Sequence, residues 1–328
     1  MRQAPWDRLA GVGPHRGFRI AMLVMGSMPL LVVPLVLWAW PLPDHGPWLT
    51  SFNYLTGILH VGMTAAFYVD PRLAAFRHAR RGTFIGWPLG TVLVTLVAFW
   101  AMPETGAALI SVAFAVWLAH HYTGQQIGVA TLLLVSNDRS WRLDALDRKL
   151  IRSTQALSTV GLVRSSGYRD TFLASLPLRQ VSLPLFVMLA AATVVVLRRG
   201  GGITRCGLRT TTLLWALAFV APFALLANPY VASACAAAVH GFHYVYLVAV
   251  VSGGGRGRWS WVPSVLIGMA VASIYVIVPM VASHGTAARI APSILLGIVA
   301  AHRAVDARVW RMRDPERLAY LRRGLAWL

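Results

Sequence analysis

The stretch Trp117 to Gly128, WLAHHYTGQQIG, sets two adjacent histidines and two adjacent glutamines in the middle of a long apolar segment. Imidazole ligates metals and changes charge near neutral pH. An ionisable side chain at bilayer depth is costly and is read by default as functional. At helical spacing His121 stands over Gln125, and His120 over Gly124 with Gly128 a further turn on, so one face is polar and lined with small residues. Three other apolar segments carry the same chemistry. His60 lies within Ser51 to Val69, His240 and His243 lie three apart in HGFHY with Tyr244 one turn beyond His240, and His302 lies four before Asp306 in AHRAVDARVWRMRDP. A His-Asp pair at that spacing supplies two metal ligands, or one ligand and the carboxylate that orients it.

The chemistry this set allows is metal chemistry. Imidazole suits iron, copper, zinc and nickel, and a histidine-rich site with one carboxylate leaves room for dioxygen at non-haem iron. The expected ligands are His60, His120, His121, His240, His243, His302 and Asp306, around one or two irons, with Gln125 and Tyr244 positioning dioxygen or substrate. Asp70 is a further acid at the inner edge. His15, His45, His78 and His284 fall in predicted loops and are read as solvated. Against this stands a plainer reading, a small-residue packing face from Gly124 to Gly128 with histidines that only hydrogen-bond to neighbouring helices. Zinc held by three histidines with an activated water would instead make an intramembrane hydrolase, for which His60 and Asp70 offer a pairing. Intramembrane His and Asp could also line a metal or proton transport path.

The elements that must position these residues follow from composition. The 328-residue chain is 57% hydrophobic and only 12% charged, where a soluble domain carries about 25% charged residues; its mean hydropathy is +0.62. Long continuous apolar runs, each needing about 20 residues to span a bilayer, predict helices rather than a barrel. The expected fold is all-α, a polytopic transmembrane bundle of about 8–10 spanning helices in a single domain over 1–328. The net charge of +19 sits on arginines between apolar segments, which fits topogenesis and not nucleic-acid binding. Cys206 and Cys235 lack metal-type spacing.

Expected spans lie near Ile20 to Trp40, Ser51 to Val69, Thr83 to Ala101, Ala107 to Val135, Val181 to Leu197, Thr210 to Leu226, Tyr230 to Val251, Trp261 to Val281 and Ala288 to Val305, with a short or tilted helix at Leu150 to Val163. That helix keeps the Gly200 loop and the C-terminus on the basic, inner side. Residues 1–18 form a cytoplasmic N-terminal segment and 307–328 a basic cytoplasmic tail. The expected location is a bacterial inner membrane. On this topology the histidine-bearing spans run in the same direction and place their histidines at similar depth, so that they can converge on one point.

The single and paired histidines across successive spans, His60, His120-His121 and His240 with His243, resemble those of the integral-membrane β-carotene dioxygenases of bacteria and archaea, and are similar in kind to the membrane fatty-acid desaturases and hydroxylases. The resemblance implies non-haem iron held by intramembrane histidines, a lipid or isoprenoid substrate drawn from the bilayer, and an electron-donor protein as partner. The tail HRAVDARVWRMRDP is similar to a His-x-x-x-Asp-x-x-x-Trp ending found in bacterial membrane proteins, which supports His302 and Asp306.

Overall fold

The computed structural model describes residues 14–39, 57–101, 105–137, 143–165, 177–199, 207–253, 262–281, 285–310 and 314–325. All regular structure among them is helical, as the apolar runs predict. The helices are α1 (Pro14–Ala39), α2 (Gly57–Val69), α3 (Ala74–Ala79), α4 (Trp87–Ala101), α5 (Thr105–Asn137), α6 (Ala145–Ser165), α7 (Leu178–Arg199), α8 (Gly207–Leu225), α9 (Pro229–Gly253), α10 (Val262–Val281), α11 (Gly285–Val309) and α12 (Pro315–Gly324). Helices α7, α8 and α9 are long and apolar enough to cross a membrane. A fourth span results if the bent pair Pro71–Ala79 and Gly82–Ala98, angled at 91°, is one broken crossing. Helices α1, α5, α10 and α11 coincide with four further expected spans and include residues whose side chains lie outside the described set.

Packing divides the chain into two compact units, one with Tyr54–Ile110 and Tyr244–Leu328, the other with Val12–Asn53 and Ser111–His243. The division falls inside α5 and α9. In the first unit, α2 places Ile58 and Val61 against Leu295, Ile298 and Val299 of α11. Glycines set two close approaches: a Cβ on Gly297 would lie 2.0 Å from Val92 of α4, and one on Gly268 of α10 would lie 2.7 Å from the sulfur of Met63. Helix α2 tightens at Thr64, whose N–H bonds to the Val61 carbonyl at 3.1 Å while its own carbonyl accepts from Phe67 at 2.9 Å. These are three-residue closures of the 3₁₀ type.

The second unit is built on α6, α7 and α8. Leu150 and Ile151 of α6, Val196 and Leu197 of α7 and Leu213 and Ala216 of α8 share one core with Ala130 and Leu134 of α5. Helix α6 differs from the short span expected at Leu150 to Val163. It has 21 residues, starts at Ala145 and is not among the apolar spans. Its first turn is anchored by charge: Arg209 of α8 donates from Nη2 to Asp147 Oδ1 at 2.6 Å and from Nε to Oδ2 at 2.9 Å. The two-pronged geometry suits a buried carboxylate, and the Asp147 side chain is 1% exposed.

The exposed surface is apolar in stripes. On α1, Ile20, Val24, Met28, Leu31 and Leu35 are exposed at successive turns, while Phe18 and Met22 are buried. On α4 the same holds for Leu89, Leu93, Val97 and Trp100. Large contiguous apolar surface is rare on proteins that face water.

The basic tail contains structure that the hydropathy reading does not resolve. Helix α12 starts at Pro315 with Asp314 as its cap, accepting from the Glu316 N–H, and ends on Arg322, Arg323 and Gly324. Tyr320 and Leu321 are buried, and Gly324 meets the α9 backbone so closely that a Cβ would lie 2.5 Å from Val251 Cα. An Asp cap, proline at the first helical position and glycine at the end are legible start and stop signals, but hydropathy does not look for them.

Candidate metal centre

In the first unit, α2 supplies His60 and Thr64, α9 supplies Tyr244, and α11 supplies His302, Asp306 and the adjoining Trp310. Each α-helix repeats every 3.6 residues, so His60 and Thr64 share one face of α2 and His302 and Asp306 share one face of α11. The His60 and His302 rings meet edge to face with centroids 4.8 Å apart. Tyr244 packs against both, at 5.7 Å from His60 and 4.9 Å from His302. Thr64 Oγ1 lies 2.6 Å from His302 Nδ1 and 2.9 Å from the Tyr244 hydroxyl. Asp306 Oδ1 accepts from Trp310 Nε1 at 2.7 Å, and its Oδ2 lies 4.0 Å from His302 Nε2.

In the second unit, α5 supplies His121, Tyr122 and Gln125, and α9 supplies His240. The His121 and His240 rings are again edge to face, 4.8 Å apart. Tyr122 lies 4.6 Å from the His240 ring and 5.8 Å from Phe219. Gln125 Nε2 donates to the His240 carbonyl oxygen at 2.9 Å. Its Oε1 is buried with no hydrogen-bond partner.

His60, His121, His240 and His302 together form a group that could hold a metal ion. One ring nitrogen of each lies within 4.8 Å of the others, and all four residues are buried.

The remaining expected residues fall elsewhere. His120 is exposed, with Nδ1 3.3 Å from Gln155 Oε1; adjacent helical residues point about 100° apart, so only one of the pair can enter the group. His243 is buried, but its Nε2 lies 2.8 Å from the Met22 carbonyl oxygen of α1 and its ring packs 4.8 Å from Trp215. Since a carbonyl only accepts, Nε2 carries the proton. Asp306 lies beside His302, with Oδ2 4.0 Å from Nε2, and the Tyr244 hydroxyl is hydrogen-bonded to Thr64.

Asp70, placed by its sequence at the inner edge, belongs to an ion pair. Its carboxylate accepts from Arg72 Nη2 at 2.5 Å, Arg72 Nε at 2.9 Å and the Tyr320 hydroxyl at 3.1 Å. Burial pushes this carboxyl up, but the hydrogen bonds and charge of Arg72, with the Tyr320 hydroxyl, outweigh it and hold the group below its ordinary value. Arg72 also donates to the Ser252 carbonyl at 3.0 Å. The cluster therefore ties α12 and the end of α9 to the turn after α2. Asn53 and Thr56, expected on the His60 face, lie outside the described residues. Thr64 is on that face, and its bond to His302 is a contact that the sequence does not disclose.

Comparison with family models, curated proteins and solved structures finds no match to this chain.

Proposed function

We propose that this protein is an integral-membrane metalloenzyme, a non-haem iron oxygenase, desaturase or hydroxylase acting on a lipid or isoprenoid that enters from the bilayer. The observation that carries this is the group of four buried histidines, each offering one nitrogen within 4.8 Å of the rest. Imidazole suits iron, as it does copper, zinc and nickel, and a neutral donor set avoids placing several carboxylates in hydrocarbon. Iron bound there supplies the dioxygen chemistry, and the protein supplies geometry and a dry setting.

The chain's own residues divide that work. Gln125 fixes the backbone at His240 through Nε2 and offers its Oε1 as an acceptor for a hydroxyl or a water. Tyr244 and Asp306 act through His302. The apolar stripes of α1 and α4 suit contact with acyl chains, and lateral entry suits a substrate that never leaves them. An electron-donor protein would dock on the basic inner side, with both termini in the cytoplasm and the protein in a bacterial inner membrane.

The test is metal content and visible absorption of detergent-purified protein. Near-stoichiometric iron without a haem band supports the proposal and directs assays to lipid substrates under dioxygen. Zinc in its place would move the assignment to hydrolysis. Absence of bound metal after purification and after anaerobic loading with ferrous iron would overturn it.

A further inference from the structure

We propose that Gln125, Gln126 and Trp215 hold the hydroxyl of a neutral lipid alcohol, which names the substrate class of the proposed centre and rests on that reading. Gln126 is 3% exposed, and among the described residues neither its Nε2 nor its Oε1 has a hydrogen-bond partner. The same holds for Trp215 Nε1 and for Gln125 Oε1. The other end of the Gln125 amide is committed to the His240 carbonyl. A buried amide or indole N–H costs free energy unless something bonds to it, and each such group in a folded protein calls for a cause.

Helix packing in the second unit brings these residues to one level. Tyr122 of α5 meets Phe219 of α8, and Ala130 of α5 shares a core with Leu213 and Ala216 of α8, so the two helices run antiparallel there. Gln126 lies midway between Tyr122 and Ala130, and Trp215 lies one turn from Phe219 toward Leu213, which puts both at the same height. Gln125 is adjacent in the chain and stands one turn from His121, whose ring belongs to the four-histidine group. Gly26 of α1 keeps the Trp215 N–H clear, since a Cβ there would lie 2.3 Å from Nε1. The set thus offers two donor nitrogens and two acceptor oxygens, all neutral. A carboxylate or phosphate only accepts and would leave both Oε1 atoms unmatched. An ammonium only donates and would leave both nitrogens unmatched. A hydroxyl does both, and a plain hydrocarbon does neither.

The experiment measures saturable binding of radiolabelled dodecanol to the detergent-purified protein, with dodecane, dodecanoic acid and dodecyl phosphate as competitors at equal concentration in the micelle. Unlabelled dodecanol should displace the label at concentrations about 10-fold or more below those the competitors need. Gln126→Met keeps the length of the side chain and removes its donor and acceptor. It should weaken dodecanol binding about 10–100-fold, the loss expected for two hydrogen bonds. It should also raise the melting temperature of the ligand-free protein, because a buried amide without partners is gone. Trp215→Phe should likewise weaken dodecanol binding and leave the uptake of dodecane unchanged. A lower melting temperature in Gln126→Met with dodecanol binding intact would overturn the proposal and make the amide a structural group. Equal competition by dodecane or dodecanoic acid would overturn it as well. Dodecanol binding in a protein that holds no iron would remove the metal-centre reading alone, whereas iron without dodecanol binding would remove this proposal alone.

Discussion

Six histidines look equivalent in sequence, and their partners separate them. His121 and His302 each contribute a nitrogen to the four-histidine group, so alanine at either should lower iron retention by more than the about 10–100-fold typical of an outer partner, measured as metal per protein after gel filtration. His120→Ala should leave the iron content unchanged, because that ring is exposed. His243→Ala separates stability from ligation. It removes a buried hydrogen bond to the Met22 carbonyl and packing against Trp215, a loss on the order of 1–3 kcal/mol, and it should lower the melting temperature in detergent while iron stays bound. Loss of iron without loss of stability in that variant would place His243 among the ligands.

Elements are held where side chains are smallest or charges are paired. Helices α6 and α8 approach at Gly161, where an added Cβ would lie 2.1 Å from the Phe223 ring. Overpacking of this kind costs about 1–3 kcal/mol, so Gly161→Ala should destabilise the second unit, read as faster proteolysis between α6 and α8. The tail helix α12 is held by charge. The Asp70 carboxyl lies below its ordinary value because Arg72 and Tyr320 outweigh the effect of burial. A carboxyl depressed on folding contributes stability that is present above its unfolded pKa, about 3.9, and is lost as pH falls through the folded value. Wild type should therefore exceed Asp70→Asn in melting temperature near pH 7, and the gap should close below about pH 4; a gap independent of pH would mean that the pair acts through shape alone.

At the scale of the molecule, the exposed apolar stripes of α1 and α4 and the three helices long and apolar enough to cross a membrane suit a solvent other than water. The protein should remain with membranes through alkaline carbonate washing. The charge pattern adds an orientation: a reporter fused at Gly200 should read as cytoplasmic, since Arg198, Arg199, Arg205 and Arg209 flank that loop. A periplasmic signal there would overturn that orientation.

Composition and hydropathy by themselves determine an all-helical chain of membrane character, because a lipid-facing backbone must satisfy its hydrogen bonds within each helix. They also put His60, His121, His240 and His302 on view, because ionisable residues stand out in apolar runs. Tertiary structure decides which of them meet. Neighbouring residues on a helix diverge by about 100°, so the separation of His120 from His121 depends on how α5 is rotated, and helical rotation is set by packing partners distant in sequence. The same holds for His243, whose partner Met22 is 221 positions away, and for Thr64, which meets His302 across 238. Local spacing shows which residues share a face of one helix, whereas only the packed chain shows what that face touches.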